Sequence, residues 1–245
     1  MEIDILDVAR AIRIRRYPDA SVVFAAGSLV RGEGTAYSDL DLVVVYPAVP
    51  TAYRESFRFD RYPVEAFVHD PQTLEYFFVE MDRTSGIPAL PQMVIEGIEI
   101  PEANALSQAL KARAAAVLQT GPPPLDVENE RRHRYMVTDL LDDLRDARSR
   151  DELLGTGARL YEELADYHLR SNGQWSARGK RIPGALQLVN PGLRTTFCES
   201  FDKLFRDGDV DAVIHLTEAL LKPHGGLLFD GYRSDAPSSW RTIGA

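Results

Sequence analysis

Apolar residues fall in short runs in the first half of the chain and at helical spacing in the second. Residues 3–16 place Ile5, Val8, Ala9 and Ile12 near a period of 3.6, which predicts an amphipathic helix. Residues 21–26 (SVVFAA) are continuously apolar, as a strand buried on both faces would be. Residues 40–46 (LDLVVVY) are a second such run, with three consecutive valines. Residues 54–59 and 62–68 read as a strand pair, the second being YPVEAFV. Asp70-Pro71 then resembles a helix start, with Asp as cap and Pro at the first position, and predicts a helix over 72–82.

Gly121-Pro122-Pro123-Pro124 is the clearest break, because three prolines cannot continue a helix and stiffen a connection. Beyond it the pattern is mostly helical. Residues 102–119, 127–148, 151–171, 195–207 and 209–222 each carry apolar positions three and four apart. In 127–148 the stripe is Met136, Val137, Leu140, Leu141 and Leu144. From 223 onward turn formers dominate and the chain reads as irregular. The fold class expected is an α/β region followed by an all-helical one, with the boundary between about 100 and 124.

With 245 residues the chain has room for one large domain or two small ones. Its net charge of −9 argues against a nucleic-acid partner, which needs a basic face. A single cysteine, Cys198, excludes an intramolecular disulfide. No apolar run reaches membrane-spanning length, and the first residues lack the basic and apolar segments of a secretory signal. The expectation is a cytoplasmic protein without a membrane partner, of unspecified oligomeric state.

Candidate chemistry sits in residues 22–46, VVFAAGSLVRGEGTAYSDLDLVVVY. A strand runs into Gly27-Ser28, and about ten residues later Asp39-Leu40-Asp41 leads into the next. Glycine permits a tight turn and close backbone approach, and a following short helix would aim free N–H groups at phosphates. Residues two apart in a strand share a face, so Asp39 and Asp41 project together while Leu40 and Leu42 face the core. Two such carboxylates repel unless a cation sits between them, and oxygen ligation suits Mg²⁺. Glu65, inside an otherwise apolar run, is a third acid that joins them if its strand is their neighbour.

Gly27-Ser28, Arg31-Gly32 and Ser38-Asp39-Leu40-Asp41-Leu42 resemble the nucleotidyltransferase fold of the DNA polymerase beta superfamily. The helical half looks like the aminoglycoside adenylyltransferase branch, a looser match. The resemblance implies a nucleotidyltransferase domain with a mixed sheet over residues 1–105 and a helical acceptor-binding domain over 106–245. It implies Mg²⁺ at Asp39, Asp41 and Glu65, with ATP as co-substrate contacting Gly27 and Ser28. Glu65 stands where some members carry a general base. The implied reaction moves AMP from ATP to a hydroxyl of a small-molecule acceptor and releases pyrophosphate.

Other positions have two readings. Arg31 either binds a phosphate or pairs with an acid of its own loop. Lys180 either reaches the triphosphate from the helical domain or belongs to a basic surface loop. Asp139 and Asp142 either hold substrate amines or form a solvated helix face, the commoner arrangement. The whole chain could instead nucleotidylate a protein or RNA, or serve as a catalytically silent nucleotide-binding module.

Overall fold

The computed structural model describes residues 4–237 and Trp240, and divides the chain into a unit ending at Pro123 and another beginning at Pro124. The first unit opens with α1 (Ile5–Arg16), whose N-terminus is capped by the Asp4 carboxylate accepting the Leu6 N–H at 3.0 Å. Strands β1 (Val22–Ala26), β2 (Leu40–Val45), β3 (Tyr53–Phe59) and β4 (Tyr62–His69) follow. Next come α2 (Pro71–Tyr76), a π-helical stretch over Phe77–Asp82 and α3 (Arg83–Ser85). The unit closes with α4 (Ala89–Glu96), β5 (Ile98–Ile100) and α5 (Ala105–Thr120).

The five strands form one mixed sheet in the order β3-β4-β2-β1-β5. Only the central β2–β4 pair is parallel; β1–β2, β1–β5 and β3–β4 are antiparallel. Alternation fixes the faces. Val23 and Ala25 of β1, Leu40, Leu42 and Val44 of β2, and Val64, Ala66 and Val68 of β4 form a core layer with Val8, Ala9 and Ile12 of α1. On the opposite face α4 packs against β1 and β2, and α2 against β4. Burial on both faces accounts for the unbroken apolar runs of β1 and β2. Edge strand β3 is exposed and correspondingly polar (YRESFRF).

The strand pair expected over 54–59 and 62–68 is a hairpin with a two-residue loop, Asp60-Arg61. Asp60 takes φ 51°, which its short polar side chain tolerates. The helix expected over 72–82 starts at the Asp70 capping box and runs on through the π-helical stretch to Ser85. Periodicity gave no warning of α4 and β5. Both are short, and Pro91 interrupts the helical pattern of α4.

The second unit comprises α6 (Val127–Arg145), α7 (Arg150–Ser171), α8 (Ile182–Val189), α9 (Pro191–Asp207) and α10 (Asp211–Leu221). The predicted α6 stripe is in place: Leu140, Leu141 and Leu144 share a core with Leu160 and Leu164 of α7, Phe197 and Phe201 of α9 and Val213 of α10. Helix α9 begins four residues earlier than its apolar spacing indicates, because the Asn190 side chain accepts the Leu193 N–H at 3.0 Å and Pro191 fills the first position. Most of the segment after Leu221 is irregular, and part of it lies outside the described residues. Among the described residues no helix is long and apolar enough to cross a membrane.

His69 ends β4, buried, with its ring 4.9 Å from that of Phe77. Burial pushes its pKa down to about 4, against the partly offsetting charge of Asp70. An unfolded chain takes up this proton near pH 6.5 and the folded one only near 4, so stability held above pH 6.5 is lost as the pH falls toward 4. Acidification from pH 7 to 5 should cost about 2 kcal/mol at this group. Thermal melts across that range should show a smaller acid-side loss in His69→Gln than in wild type.

Candidate metal and nucleotide site

The sheet brings the three acids together at one end. Asp41 lies opposite Ala26 of β1 and beside Glu65 of β4, and Asp39 stands one residue before β2. Their neighbours Leu40, Leu42, Val64 and Ala66 point into the core, which turns Asp41 and Glu65 to the opposite face. One carboxylate oxygen from each of Asp39, Asp41 and Glu65 lies within 4.8 Å of the other two, and all three residues are half-buried. Unit charges about 4 Å apart repel by about 1 kcal/mol in water and about 4 kcal/mol near a protein surface. The cluster therefore asks for a cation. Its donors are all carboxylate oxygens, which fits a hard divalent ion such as Mg²⁺ and not a thiophilic metal.

Gly27 closes one side. Its φ is 86°, and a Cβ built there would stand 2.3 Å from Asp41 Oδ2. Only glycine lets the backbone pass this close to the carboxylate in that conformation. The helix expected after Gly27-Ser28 does not form. The chain makes an irregular turn instead, with the Arg31 N–H on the Gly27 carbonyl at 3.2 Å, Gly32 on Leu29 at 3.3 Å and Glu33 on Ser28 at 2.9 Å. Gly32 and Gly34 within the segment weigh against a continued helix. Among the described residues the backbone N–H groups of Ser28, Leu29 and Val30 donate to no backbone carbonyl, so the turn still presents donors suited to an anion.

Of the two readings of Arg31, the structure shows the ion pairs. Its guanidinium holds Glu33 at 2.9 Å and Glu96 of α4 at 3.0 Å. The Glu33 hydrogen bond, with help from Glu96, raises the arginine's pKa above its ordinary value. Glu65 carries a partner that the sequence reading missed: Arg54 of β3, whose Nη2 donates to Glu65 Oε1. The hairpin register holds the signal, since it sets Arg54 opposite Phe67 and diagonal to Glu65.

Lys180, Asp139 and Asp142 belong to the second unit. Lys180 is exposed on a 3₁₀ turn, Gly179–Arg181. Asp142 is exposed on α6 and accepts from Arg145 at 2.8 Å, while Asp139 is half-buried on the same helix.

Residues 7–83 match the family model described as "Nucleotidyltransferase domain". The matched stretch contains Asp39, Asp41, Glu65 and the Gly27-Ser28 turn, and a domain of this kind suggests a transferase acting by nucleotidyl transfer. No curated protein matches the chain. Among solved structures, that of a nucleotidyltransferase-like protein from Exiguobacterium sibiricum 255-15, at 1.90 Å resolution, covers 89% of this chain and 75% of its own. It shares 16% sequence identity, with a TM-score of 0.41.

The close approach at Gly27 gives a direct test. Gly27→Ala should cost about 1–2 kcal/mol for the left-handed conformation alone. It should also push the Asp41 carboxylate out of the cluster. Calorimetric titration with Mn²⁺ should show weakened binding together with a lowered melting temperature.

Proposed function

We propose that the protein is a Mg²⁺-dependent nucleotidyltransferase that moves AMP from ATP to a hydroxyl of a small-molecule acceptor, releasing pyrophosphate. The observation that carries this reading is the clustering of Asp39, Asp41 and Glu65 beside the Gly27 turn. A silent nucleotide-binding module has no chemical need for three carboxylates at this separation.

In this account Asp39 and Asp41 hold the cation, and Glu65 completes the acid set. The N–H groups of Ser28, Leu29 and Val30, with the Ser28 hydroxyl, bind phosphate oxygens. When bound, Mg²⁺ supplies positive charge that stabilises the phosphoryl oxygens and the leaving group. The acceptor hydroxyl oxygen forms a bond to the α-phosphorus while the bond from that phosphorus to the α,β-bridging oxygen breaks. Pyrophosphate departs with the electron pair, and the hydroxyl proton passes to the Glu65 carboxylate. Holding the two substrates in line supplies much of the rate. Because Arg31 is committed to Glu33 and Glu96, it contributes to phosphate binding only after leaving one of them.

Asp139 and Asp142 give α6 an acidic face that suits a polycationic, aminoglycoside-like molecule. The net charge of −9 favours such an acceptor over RNA.

Pyrophosphate release from ATP, measured across a panel of amino-sugar and other polyol acceptors, tests the reading. One acceptor class should stimulate release in wild type. Asp41→Asn should lower the stimulated rate by about a thousandfold, the scale expected when charge stabilisation of several kcal/mol is removed. Tight ATP binding without release over the whole panel would favour the silent module.

A further inference from the structure

Glu65 enters the acid cluster already paired. Arg54 lies diagonal to it across the β3–β4 ladder, and its guanidinium both donates to Glu65 Oε1 and sits over the Phe67 ring, 5.2 Å from the centroid. Phe67 and Glu65 are two residues apart on β4 and share a face, so the ring holds the arginine stem against the same surface that presents the acid. The arginine side chain is 58% exposed and the glutamate 23%. The cation thus stands at the outer edge of the sheet and the anion further in, toward Asp39 and Asp41.

This placement has an electrostatic consequence. With no divalent ion bound, the cluster carries three close carboxylates whose mutual repulsion opposes the fold. A guanidinium on one of them offsets part of that repulsion. The same positive charge then competes with any incoming metal ion for Glu65. We propose that Arg54 is the built-in counter-cation of the acid cluster, balancing Glu65 while no divalent ion is present and setting how tightly one binds. The proposal rests on the metal-site reading above. It makes Arg54 a residue that acts through Glu65, and its role would keep the site open to exchange of a metal–nucleotide complex instead of trapping a bare ion.

Mn²⁺ titration of the full chain by calorimetry tests it in wild type, Arg54→Gln, Arg54→Met, Glu65→Gln and the Arg54→Gln/Glu65→Gln double variant. Arg54→Met keeps an apolar stem over Phe67 and serves should the glutamine variant fail to fold. Both neutral variants should bind Mn²⁺ roughly two- to fivefold more tightly than wild type, the scale of a partly exposed ion pair. In the Glu65→Gln background the same substitution should change affinity by less than about twofold, since the competition acts through that carboxylate. Melting temperatures should fall in the neutral variants without Mn²⁺ and recover toward wild type at saturation. A purely structural anchor for β3 would instead lower the melt equally with and without the ion. Unchanged or weaker Mn²⁺ binding in the neutral variants, or an equal effect in the Glu65→Gln background, would overturn the proposal. It would leave the metal site standing if Asp39→Asn still abolished binding. No Mn²⁺ binding by wild type or any variant would overturn both readings.

Discussion

The parallel pairing of β2 with β4 is the constraint on which the site depends. It sets Asp41 beside Glu65 in register, and the strand alternation that buries Leu40, Leu42, Val64 and Ala66 leaves both acids no other face. A slip of one residue in either strand would turn its acid into the core and expose a leucine or valine. Core burial on one face of the sheet and repulsion on the other are therefore locked together. The apolar layer against α1 supplies the stabilisation that tolerates three close carboxylates. Gly27 follows from the same geometry, because β1 ends opposite Asp41 and the chain must turn past its carboxylate.

Much of this was legible in the sequence, for identifiable reasons. Unbroken apolar runs mark β1 and β2 because both their faces are covered. Asp39 and Asp41 stand out because two carboxylates at strand spacing have few structural uses, and Glu65 because an acid in an apolar run demands a partner. The backbone beyond Gly27 was not legible: a glycine-rich segment with three internal turn bonds looks, by composition, like the lead-in to a short helix. Nor were α4 and β5, whose lengths are too short for periodicity to register. The partner of Glu65 was recoverable in principle. The two-residue Asp60-Arg61 loop fixes the hairpin register, and that register puts Arg54 diagonal to Glu65.

The second unit shows the opposite balance. Its four longer helices were readable from spacing, and the starts of three follow from caps at Asp126, Ser149 and Asn190, whereas the eight-residue α8 was too short for periodicity to register. Its chemistry was not, since charged residues on helix faces serve solvation as readily as recognition. Asp142 illustrates this, being already engaged by Arg145. Arg31 teaches the same lesson in the first unit: a basic residue next to the Gly27-Ser28 turn can be spoken for by two nearby acids. Charged helix faces thus leave a weak sequence signature, whereas the acid cluster follows spacing rules that are strong.

The most direct test of the account is calorimetric titration of ATP into the wild-type chain and into the Asp39→Asn/Asp41→Asn double variant, each with and without Mg²⁺. The account predicts ATP binding that requires Mg²⁺ in wild type and is lost in the double variant. Equal binding in both, or binding indifferent to Mg²⁺, would contradict it, because the aspartates would then not be where the nucleotide's metal is held.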